Sequence, residues 1–273
     1  DEQTQALNAI RYHQYTTYLL YGTTGSGKTE VYMHAITRVL QSGRQALVLI
    51  PEIGLSPQTI GRFRRRFHVE IAELHSNVAK NERAKHWIAA KTGSARIVIG
   101  TRLTSLTPFA DLGIIIIDEE HDKSYKQQDG FKYSARDISV YRAHQLGIPV
   151  ILGSATPSLE SLHNVNLRKY TQLTLSQRPG NAQPPVMIPV DLRNQRTLAG
   201  LTDTALESIN NTLSRNEQVL VFLNRRGYAP ALICHSCRWS AQCSACDARM
   251  TLHQHPPSLP PLRTPPPNPK TLR

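Results

Sequence analysis

The octet GTTGSGKT, formed by Gly22, Thr23, Thr24, Gly25, Ser26, Gly27, Lys28 and Thr29, carries the sharpest chemical signal in the 273 residues. It satisfies G-x-x-x-x-G-K-[ST] and stands between an apolar run, TYLLY, and a stretch with helical spacing. Glycines at this spacing let backbone N–H groups curl around phosphates, and the start of the helix adds a favourable dipole. Lys28 then reaches the β- and γ-phosphates and Thr29 ligates Mg²⁺. The implied chemistry is binding of a nucleoside triphosphate, although the octet alone does not separate a kinase from a GTPase or a motor. DEEH, 118–121, closes the run GIIII, where a strand's carboxyl end delivers side chains to a nucleotide crevice. There Asp118 is placed to hold Mg²⁺, usually through water, and Glu119 to polarise an attacking water.

Two further clusters carry chemistry. In GSATPSLES, 153–161, the hydroxyls of Ser154 and Thr156 could hydrogen-bond the acidic motif and couple nucleotide state to movement, and Ser158 has the character of a helix cap. CHSCRWSAQCSAC supplies Cys234, Cys237, Cys243 and Cys246 as two C-x-x-C knuckles with five residues between them. Zinc thiolate chemistry suits each knuckle, but that gap is far shorter than the roughly 15 to 20 residues of a paired-knuckle site. His253 and His255 are substitute ligands. Four cysteines confined to one segment do not make a secreted disulfide framework, so metal binding is the better reading.

Parallel strands must position the phosphate loop and the acids. Apolar runs without polar alternation recur at 17–21, 46–50, 96–100, 113–118 and 149–153, which suits strands covered on both faces in an α/β sheet. Helix-like spacing falls between them at 30–41, 56–67, 81–91 and 135–146. The first lobe is expected over 1–180. A linker, RPGNAQPP, opens a second stretch, 181–230, with a helix at 202–213 and an apolar strand at 218–223. The zinc-binding segment occupies 231–255. The last 18 residues hold 8 of the 18 prolines and no acid, so 256–273 reads as a disordered tail, and a shifted reading frame or artificial terminus explains its abrupt composition better than a polyproline ligand does. The chain opens on Asp1, so a preceding N-terminal part is expected.

Lys and Arg total 32 against 20 Asp and Glu, a formal charge of +12, which makes polyanions plausible partners without deciding among them. HDKSYKQQDGFKY, 121–133, interleaves Lys123, Lys126 and Lys132 with Tyr125, Phe131 and Tyr133, a combination for phosphate attraction plus base stacking. Arg62, Arg64, Arg65 and Arg66 read as the solvated face of a helix rather than as specific contacts. No stretch approaches the roughly 20 apolar residues of a membrane span, and the opening residues are not a secretory signal, so a cytoplasmic protein without membrane contact is expected.

The ordered set GTTGSGKTE, LVLIPEIGLSPQT, LHS, VIGTR, DEEHDKSYKQQ, GSATPSLES and FLNRRGYAP resembles superfamily 2 helicases, and more narrowly the bacterial replication-restart DNA helicases, from Asp1 to about His255. The resemblance implies an α/β fold with a complete RecA-like parallel-sheet lobe, the start of a second RecA-like lobe, a small Cys-rich zinc segment and the Pro-rich tail. It implies ATP and Mg²⁺ between two lobes, movement 3′ to 5′ along single-stranded DNA, action on forked DNA and primosome partners that reload the replicative helicase. It also implies catalytic roles for Lys28, Asp118, Glu119 and His121, adenine recognition by Gln3, and a DNA track of Glu52, Gln58, Thr101 and Arg102 with Tyr125, Lys126 and Phe131 in an aromatic-rich loop. Two interleaved zincs are implied, each completed by later cysteines. A late GRAGR-like segment bearing an arginine for the γ-phosphate does not follow Gly227, so poor autonomous hydrolysis and no autonomous unwinding are expected. The rival readings are a duplex DNA translocase and a non-catalytic nucleotide- or zinc-binding remnant.

Overall fold

A computed structural model describes residues 2–176, 186–191, 197–198, 200–222 and 240–241. The chain divides into two units, Asp1–Pro184 and Pro185–Arg273.

The first unit runs α1 (Glu2–Ala9), β1 (Thr16–Gly22), α2 (Lys28–Gln41), β2 (Gln45–Leu49), α3 (Pro57–Arg66), β3 (Ile71–Leu74), α4 (Lys80–Thr92), β4 (Ile97–Gly100) and β5 (Leu112–Ile117). It continues through a ribbon, β6 (Lys126–Gln127) and β7 (Tyr133–Ser134), to α5 (Ala135–Leu146), β8 (Pro149–Ser154), α6 (Leu159–Asn166) and β9 (Tyr170–Leu175). Seven strands form one sheet in the order β3-β4-β2-β5-β8-β1-β9, and every pairing in it is parallel. This is the RecA-like α/β architecture. In β5, Ile114 and Ile116 enter one core with α1, α2 and α3, while Ile115 and Ile117 enter the other with α4, α5 and α6. Burial on both faces is why the strand reads as an unbroken apolar run.

Helix ends follow local chemistry. Ser56, Ser134 and Ser158 cap α3, α5 and α6 by accepting from the backbone N–H of Thr59, Asp137 and Ser161. Gly93 and Gly147 close α4 and α5 in the left-handed conformation. Strands β3 and β9 and helices α1 and α6 join the elements legible in the sequence.

In the second unit the described residues form a ribbon, β10 (Thr197–Leu198) and β11 (Leu201–Thr202), and helix α7 (Asp203–Ser214), capped by Thr202. The strand expected at 218–223 does not form over the described 218–222, where Leu220 and Phe222 are exposed. An apolar run becomes a parallel strand only when a neighbour accepts its ladder, and no such neighbour stands among the described residues. Among those residues no helix is long and apolar enough to cross a membrane.

Candidate functional site

The loop between β1 and α2 is built by three glycines with different duties. At Gly22 an added Cβ would lie 2.5 Å from Ser26 Oγ and 2.9 Å from Leu175 Cβ, so only hydrogen fits. Gly25 and Gly27 hold φ of 84° and 90°, a region that penalises any Cβ. At Gly27 the Cβ would also strike Gln3 of α1, whose Nε2 donates to Ser26 O at 3.3 Å. Lys28 is buried and folds back over the loop, its Nζ donating to Gly22 O at 2.7 Å and Thr23 O at 3.3 Å. The Ser26 hydroxyl is buried without a partner. A cradle that excludes side chains, a confined ammonium and an orphaned hydroxyl beside the start of a helix fit a phosphate chain.

The acids arrive from β5. Asp118 continues the strand, its N–H donating to Leu49 O at 2.9 Å, and its Oδ1 accepts from Tyr32 Oη at 3.0 Å. Burial first and Glu119 second raise the Asp118 pKa above the usual carboxylate value, against lowering by Tyr32 and Lys28. Burial, reinforced by Asp118, pushes the Tyr32 phenol well above its ordinary range, so it stays a donor. Glu119 then adopts φ of 46°, left-handed for a residue with a side chain, which costs about 1 kcal/mol. This reversal breaks the strand's alternation just after Asp118. Asp118 and Glu119 line an open cleft of about 760 Å³ together with Gly25, Gly27, Lys28 and Thr29. Glu120 turns inward and is buried, accepting from Arg136 Nη1 at 3.1 Å, Ser158 N at 2.7 Å, Ser158 Oγ at 3.0 Å and Ser161 Oγ at 2.9 Å.

His121 stands between the acids and the turn after β8. Its Nδ1 pairs with Ser154 Oγ at 2.7 Å and lies 3.6 Å from Glu119 Oε2, while Nε2 lies 3.3 Å from Thr156 Oγ1. The structure thus brings Lys28, Thr29, Asp118 and Glu119 to one cleft, sets Gln3 beside its loop, and links His121 to both Ser154 and Thr156.

The residues read as a DNA track are less uniform. Glu52, Thr101 and Arg102 line a second groove of about 870 Å³ with His75 and the half-exposed Trp87, whereas Gln58 is exposed on the first turn of α3 outside that lining. Arg102 Nη1 donates to Ser124 O at 2.9 Å and Lys126 O at 3.3 Å, which ties the 123–126 segment down. Phe131 is 81% exposed, its ring stacked 6.1 Å from that of Tyr133, and Lys126 is exposed with Nζ 3.9 Å from Glu160. Tyr125 overturns the expectation of base stacking: it is only 2% exposed and its Oη donates to Asp118 O at 2.7 Å. Alternating Lys and aromatic residues look alike in sequence whether a ring faces solvent or core, and here a turn capped by Asp122 rotates this ring inward.

Sequence reasoning missed Tyr32, Glu120 and Arg136. Tyr32 sits one turn after Lys28, and that spacing was its available signal. The Glu120 network joins residues 16 to 41 positions apart, for which local pattern offers none. Cys234, Cys237, Cys243, Cys246, His253, His255 and the tail lie outside the described residues. Among the described residues no group of three or more metal-ligating side chains forms a candidate cluster.

The chain is similar to replication restart protein PriA of Haemophilus influenzae, 50% identical over 255 residues, covering 93% of this chain and 35% of that protein. It is 38% identical over 264 residues to replication restart protein PriA of Bacillus subtilis, covering 93% and 32%. It therefore spans about a third of the length of these curated relatives. Among solved structures, the DUF1998 helicase MrfA bound to DNA and AMPPNP aligns with a TM-score of 0.55 and 17% identity, covering 82% of this chain and 34% of that one, a likeness of fold alone. The DEAD/DEAH box helicase profile matches residues 1–165, more than half of the chain and the whole span that carries the glycine cradle, the acids and the Ser154–Thr156 turn, and the chain belongs to that family of nucleotide- and Mg²⁺-using helicases.

Proposed function

We propose that these residues are the ATP-binding motor portion of a 3′ to 5′ DNA helicase of replication restart, which acts with primosome partners at stalled forks in the cytoplasm. One observation carries the reading: Lys28 and Thr29 share a single cleft with Asp118 and Glu119. The names of the relatives and the family profile support it.

Lys28 and the loop amides bind the phosphates, and Gln3 beside the loop offers its amide to the adenine. Thr29 and Asp118 would hold Mg²⁺. Bound Mg²⁺–ATP supplies a scissile phosphoanhydride whose developing charge the metal offsets. Tyr32 and Tyr125 fix Asp118 by its carboxylate and its backbone carbonyl. Glu119 orients a water and accepts its proton at a carboxylate oxygen, and its left-handed backbone keeps that oxygen on the cleft. His121, held by Ser154 and Thr156, reports the state of the acids to the turn after β8. Exposed Phe131 and Lys126 stack and attract single-stranded DNA, and the groove of Thr101, Arg102 and Trp87 extends that surface. The four cysteines bind zinc in the same proposal.

ATP hydrolysis by residues 1–273, alone and with single-stranded or duplex DNA, tests the reading against Lys28→Ala. Stimulation specific to single strands supports it. Stimulation by duplex only favours the translocase, and turnover no greater than that of Lys28→Ala overturns an enzymatic role for these residues.

A further inference from the structure

Four arginines crowd the second half of α3, and they do not share a task. Arg64 serves the fold, its Nη2 donating to Glu73 Oε1 of β3 at 2.6 Å. Arg62, Arg65 and Arg66 stand at the i, i+3 and i+4 spacing of one helix face. The opposite face is anchored by buried Ile60 and Phe63, and all three arginines line the same cleft as Lys28 and Asp118. Arg66 meets Glu30 only at 3.9 Å, and Glu30 already engages His34 at 3.2 Å. Among the described residues Arg62 and Arg65 make no ion pair.

Lys28, the expected phosphate cation, is already turned onto two loop carbonyls. The cleft's acids, Glu30, Asp118 and Glu119, are outnumbered by Lys28 and the three arginines. A cavity built around a phosphate cradle therefore carries uncommitted guanidiniums, each a planar fork that matches phosphate oxygens. We propose that Arg62, Arg65 and Arg66 form a second, phosphate-directed wall of the nucleotide cleft that discriminates by phosphate number, favouring nucleoside triphosphate over diphosphate. This rests on the nucleotide reading of the cleft. It assigns a role to residues whose run in the sequence looks like an ordinary solvated face.

The test is equilibrium binding of mant-AMPPNP and mant-ADP, with Mg²⁺, to residues 1–273, read by fluorescence anisotropy at low and high salt. The triple variant R62A/R65A/R66A should bind mant-AMPPNP about tenfold more weakly, at the scale expected of several exposed charge contacts, and should bind mant-ADP less than about threefold more weakly. Its salt dependence should also flatten. Arg64→Ala on the same helix should leave both affinities unchanged. If far-UV circular dichroism shows the triple variant unfolded, Arg65→Ala carries the same comparison, since it breaks no ion pair among the described residues. Should the arginine variants bind both nucleotides like the parent while Lys28→Ala loses both, the inference fails and the nucleotide reading stands. If the parent binds neither nucleotide, the reading itself fails. Loss of affinity for a fluorescent oligo-dT with nucleotide affinity intact would reassign the wall to nucleic acid and overturn the proposal.

Discussion

Replacing Glu120 probes what holds the acidic motif in place. Its carboxylate is completely buried and accepts from four donors, one of them the guanidinium of Arg136, whose side chain is only 9% exposed. Glu120→Ala deprives that cation of its buried carboxylate and frees the Ser158 and Ser161 hydroxyls and the Ser158 N–H. Removing one partner of a buried pair costs about 3 to 5 kcal/mol. Asp137 still accepts from Arg136 Nε at 2.8 Å, which softens the loss, so about 3 kcal/mol is expected. Arg136→Ala is the milder change, at about 2 kcal/mol, because three neutral donors continue to satisfy Glu120. The double variant should fall short of the sum by about 1 to 2 kcal/mol, since the two residues share one interaction. Urea unfolding followed by circular dichroism gives each value from the midpoint at constant slope. A cost under about 1 kcal/mol for Glu120→Ala, or strict additivity in the cycle, would refute the claim that this pair fastens the end of β5 to α5.

Asp118→Asn should stabilise the chain in the absence of nucleotide and metal. The folded pKa is raised, so ionised Asp118 costs stability as pH rises through that value; the gain from Asn is full above the raised pKa and fades below it, and thermal melts across that range that show a constant difference would contradict it. Phe131→Ala should abolish stimulation of hydrolysis by single-stranded DNA while leaving mant-nucleotide affinity intact, whereas Tyr125→Phe, which deletes the bond to the Asp118 carbonyl, should slow turnover several-fold without changing affinity for oligo-dT. Swapped phenotypes would restore Tyr125 to the DNA surface. Purified chain should carry zinc by atomic emission, and the change of Cys234, Cys237, Cys243 and Cys246 to Ser should remove it; equal metal content in both proteins would eliminate the thiolate site.

The central strands were legible because burial on both faces leaves a run such as LGIIII no room for polar alternation. Edge strands lack that signature: β3 is four residues long, and β9, which among the described residues pairs with β1 alone, leaves several of its side chains exposed. The phosphate loop was legible because its chemistry is contiguous. Glu120 and Arg136 were not, since their meeting depends on β5 and α5 packing in three dimensions. Tyr125 and Phe131 show the limit most sharply. Both belong to one short aromatic and basic stretch, yet one is buried under Asp118 and the other projects into solvent, a difference decided by a capped turn rather than by composition.

The strained backbone of Glu119 and the buried anchor at Glu120 are two parts of one device. Consecutive residues at the end of a strand would, in extended geometry, point to opposite faces of the sheet, so Asp118 and Glu119 could not share one cleft. The left-handed turn at Glu119 breaks that alternation, and such a turn persists only where its neighbours over-determine it. Asp118 is pinned on one side by its N–H to Leu49 and by two tyrosines, and Glu120 on the other by its N–H to Gly153 O at 3.0 Å and by the Arg136 network. The clamps flank the reactive carboxylate without touching it, which leaves Glu119 to respond to what enters the cleft, with His121 3.6 Å away as its neighbour in the motif. On this argument, loosening Glu120 should disturb Glu119 before it disturbs Asp118, because Asp118 keeps its own tyrosine supports when the Arg136 pair is gone.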